Sequence, residues 1–221
     1  MPPYVRPALP NQVFHDAGGN VIDYGNRWRD RPGRMPPDDL YEVISNPQRF
    51  AGFHTLADAL VEHLRANYDV SVTEDAAFSA DLMSAHEDVA RAVRVVPESP
   101  DGAPLTFVYT EYPSLILHAG LLHDFPFPTC GCDACDETVE ALADDLEDTV
   151  LAVVAGQFAE TVSPSSSPPF DIEVGYELRR RGLPFWKRGG HGAYANSSRV
   201  KAVEARLRDL PNGWQPWRPS S

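Results

Sequence analysis

The 221-residue chain carries 19 Lys and Arg against 32 Asp and Glu, a formal net charge of −13, with 43% apolar and 23% charged residues. That balance excludes a collagen-like, coiled-coil or wholly disordered chain, and 3 cysteines are too few for a disulfide-rich miniprotein. No apolar stretch approaches the ~18 residues of a membrane span. The start, Met1-Pro2-Pro3-Tyr4-Val5-Arg6-Pro7, lacks the apolar region of a secretory signal, so a cytoplasmic location is expected.

Residues 1–12 hold four prolines and read as an extended arm. Val13 to Tyr24 predicts a hairpin, because Gly18, Gly19 and Asn20 tolerate positive φ between two apolar runs. After an Arg/Asp/Pro/Gly-rich loop, Pro37 opens a short helix over Asp38 to Ser45, which Pro47 cannot continue. Thr55-Leu56-Ala57-Asp58 has capping-box spacing, and Leu56, Leu60 and Leu64 form the apolar stripe of the helix it starts. Tyr68 to Thr73 alternates as a strand, and 74–88 reads as a weak helix. Strand-like runs follow at Val89 to Val96, Leu105 to Tyr112 and Ser114 to Ala119; their short connectors predict an antiparallel meander. The longest helix is expected over Asp136 to Ala159, where Val139, Leu142, Leu146, Val150 and Val153 share one face. Thr161 to Pro169 reads as a Ser/Pro linker, Phe170 to Arg181 as a strand, Gly189-Gly190-His191-Gly192 as loop, and Ser197 to Leu210 as a helix.

The expected fold class is α+β, an antiparallel β-meander of about four strands packed on two main helices, 55–67 and 136–159. A cysteine-rich loop sits at the N-terminus of the longer helix. Three segments are expected: a core domain over 1–160 with its arm and hairpin, a linker over 161–169, and a basic strand–loop–helix appendage over 170–221 docked on the core.

Cys130-Gly131-Cys132-Asp133-Ala134-Cys135 places three thiols at x1 and x2 spacings. In a reducing compartment such a cluster favours metal binding over oxidative cross-linking. A tetrahedral site needs a fourth ligand; His123 is the nearest imidazole, with His118 in reserve. Thiolates with one imidazole suit zinc better than magnesium or calcium. A closed Cys3His set leaves no position for an activated water, so the expected zinc is structural and the expected role is binding rather than catalysis.

Other readings stay open. One is a metal- or thiol-dependent enzyme around His118, His123 and the cysteines, with Cys132-Asp133-Ala134-Cys135 as a redox pair; Asp133, Asp136 and Glu137 oppose its thiolate. The deaminase signature is missing, and three cysteines fall short of an iron–sulfur set. No Gly-x-Ser-x-Gly, phosphate loop, dinucleotide fingerprint or His-Glu-x-x-His appears.

Charge is uneven along the chain. Residues 176–221 hold ten basic and three acidic residues, and the rest of the chain nine and 29. Arg179, Arg180, Arg181, Lys187 and Arg188 form the basic run of a nucleic-acid or acidic-partner binder. The overall charge repels phosphate, which favours docking on the acidic body, a second copy or another protein over nucleic acid.

The block His123-Asp124-Phe125-Pro126-Phe127-Pro128-Thr129-Cys130-Gly131-Cys132-Asp133-Ala134-Cys135-Asp136-Glu137 resembles the signature of an uncharacterised bacterial family classed as a domain of unknown function. Val13-Phe14-His15-Asp16, Val21 to Trp28 and Phe53 to Leu60 are similar to it as well, so the resemblance spans residues 10–160. It implies no activity, substrate or partner.

Overall fold

Short connections between alternating apolar runs bring consecutive strands side by side. β1 (Val70–Glu74), β2 (Val89–Pro97), β3 (Leu105–Thr110), β4 (Leu115–Ala119) and β5 (His123–Phe127) form one antiparallel sheet in chain order. The computed structural model describes residues 2–9, 12–31, 33, 35–179, 187–193, 198–210 and 212–220. The fold is α+β. Among the described residues, no helix is long and apolar enough to cross a membrane.

The two faces of this sheet are covered differently. Val93, Val95, Leu105, Phe107, Leu115, Leu117, Phe125 and Phe127 meet α1 (Gly52–Asn67) and α2 (Val139–Val154) in the principal core. The opposite face buries Ala92, Val108 and Ile116 under Leu82 and the short 3-10 helix Ala76–Asp81. β3 and β4 are buried along their whole lengths, as interior strands covered on both sides must be.

A second antiparallel sheet, β6 (Phe158–Pro164), β7 (Ile172–Leu178) and β8 (Lys187–Ala193), follows α2, and α3 (Ser198–Arg208) follows it. Phe158 and Leu178 join the principal core, whereas Val174 packs with Leu122 and Val200 of α3. Trp214 and Trp217 complete the principal core, and Pro219 bridges Tyr68 at the end of α1.

Several elements differ from the sequence expectation. The meander has five strands, because His123–Phe127 pairs with β4. Pro126 is tolerated because β5 is an edge strand with no partner on its other side. The long helix stops at Val154: Gly156, at φ 67°, closes it, with the Gln157 N–H donating to the Ala152 carbonyl and the Gly156 N–H to Val153. The chain can then re-enter as β6, so 158–164 is paired strand and only 165–171 connects it to β7. Residues 189–192, expected as loop, lie within β8. The hairpin at 13–24 is a turn with one bridge, His15 to Val21. The expected helix over Asp38 to Ser45 is a short 3-10 helix, Asp38–Glu42. The helix expected to start at Thr55 begins one turn earlier, without a side-chain cap.

Candidate metal centre

The loop between β5 and α2 has no ladder of its own, so its backbone groups need partners elsewhere. The irregular N-terminal segment supplies them. The Asp133 and Ala134 N–H groups donate to the Val43 and Leu40 carbonyls at 2.8 and 3.1 Å. Trp28 Nε1 donates to the Ala134 carbonyl at 2.8 Å, and Arg49 Nη2 to the Gly131 carbonyl at 2.9 Å. The Asp133 carboxylate, only 3% exposed, accepts the Ser45 N–H at 2.9 Å and lies 3.5 Å from both Arg27 and Arg49. Asp136 sits in the left-handed region at φ 54°, a conformation Asp adopts more readily than most residues, and its Oδ2 accepts the Arg27 N–H at 3.0 Å.

This scaffold gathers the three sulfurs. The Sγ atoms of Cys130, Cys132 and Cys135 all lie within 4.8 Å of one another, with Cys130 and Cys132 3.2 Å apart. Tetrahedral zinc–thiolate bonds of about 2.3 Å place their sulfurs about 3.8 Å apart, so the donor set fits such an ion with sub-ångström adjustment. Gly131 is required for packing here: a Cβ would run into the Tyr112 hydroxyl. Cys132 is buried, Cys130 partly buried and Cys135 exposed.

The three thiols are not equivalent. Burial pushes the Cys132 thiol up, but the N–H groups of Cys135 and Ala134, with the Cys130 and Cys135 thiols, outweigh it and hold its pKa below the ordinary value. Burial and the neighbouring thiols push Cys135 up to about 12. One thiolate is therefore favoured before any cation arrives, and the next would need a positive charge beside it.

The two imidazoles nearest in sequence lie elsewhere. His123 opens β5 and the cysteines follow its far end, four strand steps or about 13 Å along the strand. His123 Nδ1 instead lies 2.8 Å from Glu160 Oε1. His118 Nδ1 lies 2.6 Å from Asp124 Oδ1, and its Nε2 is 3.5 Å from Arg199. Among the described residues, no fourth His, Asp or Glu joins the three thiols within the same 4.8 Å.

A family model described as a family of unknown function, DUF6226, matches residues 10–221. The chain belongs to this family. The match continues through the basic C-terminal segment, beyond the 10–160 span of the sequence resemblance. No curated protein and no solved structure matches the chain.

The DUF6226 chain holds functional-looking residues that spacing did not reveal. Glu160 is one: its fully buried carboxylate also accepts the N–H groups of Leu121 and Leu122 and Trp214 Nε1–H. Arg27, Arg49 and Asp133 are others, joined across about ninety residues of sequence with no local pattern to mark them. In the basic segment, Lys187 donates to Asp145, Arg206 to Asp101, and Arg199 to the carbonyls of Leu82 and Leu121. Arg180 and Arg181, singled out with Arg179, Lys187 and Arg188, lie outside the described residues.

Proposed function

We propose that Cys130, Cys132 and Cys135 hold one zinc ion as a structural clasp, in a protein that acts by binding a partner rather than by catalysis. The convergence of three sulfurs on one point carries this reading. Thiolates are soft donors, and a three-sulfur set with tetrahedral spacing suits zinc far better than magnesium or calcium. The ion sits where the N-terminal segment meets the start of α2, so its bonds add to the contacts that Asp133, Arg27, Arg49 and Trp28 already make. With no described His, Asp or Glu gathered beside the three thiols, a light-atom donor such as water takes the fourth position.

One observation favours a second reading, a zinc-dependent enzyme. Three protein ligands leave a coordination position free, as catalytic zinc sites do. A cleft lined by Gly25, Asn26, Trp28, Arg29 and Asp136 borders the exposed Cys135.

Chelation separates the two readings. The purified chain is analysed for metal, treated with a strong chelator, and followed by thermal unfolding and limited proteolysis. One zinc per chain, whose removal lowers the melting temperature and opens residues 24–49 to cleavage, supports the clasp. Zinc lost with no change in stability or cleavage supports the enzyme. A chain that binds no zinc overturns both.

A further inference from the structure

β5 meets β7 and β8 along an open cleft of about 460 Å³. His123, Asp124, Tyr176, His191, Met83 and Ser84 line it. His123 is 4% exposed, yet its Nε2 has no hydrogen-bond partner among the described residues. Its other nitrogen lies 2.8 Å from Glu160, so in the neutral imidazole whose Nδ1 donates to that carboxylate, Nε2 carries the lone pair. A buried lone pair without a donor is unfavourable, and a ligand satisfies it.

His191 stands opposite, its ring centroid 6.2 Å from that of His123. A metal–imidazole bond of about 2.0–2.1 Å puts the ring centroid about 3.2 Å from the ion, so two imidazoles at this separation can flank one metal with a wide N–metal–N angle. Three of the seven residues of the strand that carries His191 are glycine, and two of them pack closely on β7: a Cβ at Gly189 would press on the Tyr176 ring at 2.9 Å, and one at Gly190 on the Val174 carbonyl at 2.8 Å.

We propose that this cleft is a second metal site, in which His123 Nε2 and the His191 imidazole bind one divalent first-row transition ion. Glu160 orients the first ligand and raises its basicity, the arrangement of a carboxylate–histidine–metal relay. The negative charges of Glu160 and Asp124 favour a cation and disfavour an anion. Arg199 lies on the His118 side of Asp124 and donates to backbone carbonyls. Imidazole nitrogens select zinc, nickel, copper or cobalt over magnesium and calcium, and water fills the remaining positions.

Titration calorimetry of the full-length, zinc-loaded protein with Ni2+ tests this. The expected result is one nickel equivalent beyond any cysteine-bound metal, without the sulfur-to-nickel charge-transfer absorption that thiolate binding produces. His191→Ala, at an exposed position, weakens it roughly tenfold or more. His123→Gln, which keeps a donor toward Glu160 but removes the imidazole, does the same. No additional equivalent, or one of undiminished affinity in His191→Ala, overturns the proposal and assigns any binding to surface histidines such as His15 and His86. The outcome is independent of the cysteine clasp: a chain whose thiols bind nothing still takes up nickel here, with an absorption spectrum free of sulfur bands.

Discussion

The Nδ1 atom of His123 lies 2.8 Å from the Oε1 atom of Glu160, 37 residues further along the chain. The pair orients the imidazole that sequence spacing offers to the cysteines but that lies apart from them. It also gathers donors from the β4–β5 turn, from β5 and from the C-terminal tryptophan around one fully buried carboxylate. A buried charge is tolerated only when its lone pairs are taken up in this way.

Glu160→Gln tests that role. The amide nitrogen of Gln faces at least one N–H donor, and the charge-assisted bonds are lost. The expected cost is about 3 kcal/mol of folding stability, measured by urea denaturation followed through Trp214 fluorescence. A change below about 1 kcal/mol contradicts the role given to the carboxylate.

Gly120 sits in the turn before that carboxylate's donors, at φ 68°, and a Cβ there would reach Glu160 and come within 2.9 Å of Phe158. Gly19 has a similar φ of 81° but nothing within 4 Å of its would-be Cβ. Gly19→Ala is expected to cost about 1 kcal/mol from backbone strain alone. Gly120→Ala costs clearly more, by about 2 kcal/mol, because collision is added to strain. Equal losses in paired denaturation curves would remove the steric argument.

Asp133→Asn leaves the loop the same size but strips the charge that faces Arg27 and Arg49. The expected loss is about 2–3 kcal/mol, with faster proteolysis between residues 24 and 49 and little change in near-UV signals from the principal core. Cleavage at the wild-type rate contradicts the assignment of this residue as the loop's anchor.

Asp81 makes stability depend on acid pH. Burial raises its carboxyl, but Arg94 and the Thr106 hydroxyl, bonded at 2.8 and 2.6 Å, outweigh it and hold the pKa below the ordinary 3.8. A carboxyl depressed in the folded state contributes fully above its unfolded pKa, and that contribution disappears as pH falls through the folded value. Asp81→Asn is therefore expected to cost about 1 kcal/mol at pH 7. The gap between the variant and wild type should close as pH falls below 3.8. A gap that stays constant down to strong acid assigns the loss to packing instead.

The legible parts of the fold are those where one periodicity dominates. Leu56, Leu60 and Leu64 mark α1, and the alternation of Val93 and Val95 marks β2, so the meander follows from short connectors. The hidden parts are those where local signals conflict with partners distant in sequence. Pro126 masks β5, whose pairing with β4 is visible only in three dimensions. Phe158 extends the apolar stripe of α2, although Gly156 marks the stop and β6 starts there. The three thiols announce themselves within six residues, but Asp133 with Arg49, and His123 with Glu160 and His191, are joined by tertiary contacts that no spacing rule encodes.

Zinc K-edge X-ray absorption on the purified, full-length chain tests the cysteine clasp at the atom level. One zinc per chain is expected, with three sulfur neighbours at about 2.3 Å and one oxygen or nitrogen neighbour at about 2.0–2.1 Å. A metal-free protein, or a zinc shell dominated by nitrogen and oxygen with fewer than three sulfurs, would contradict it.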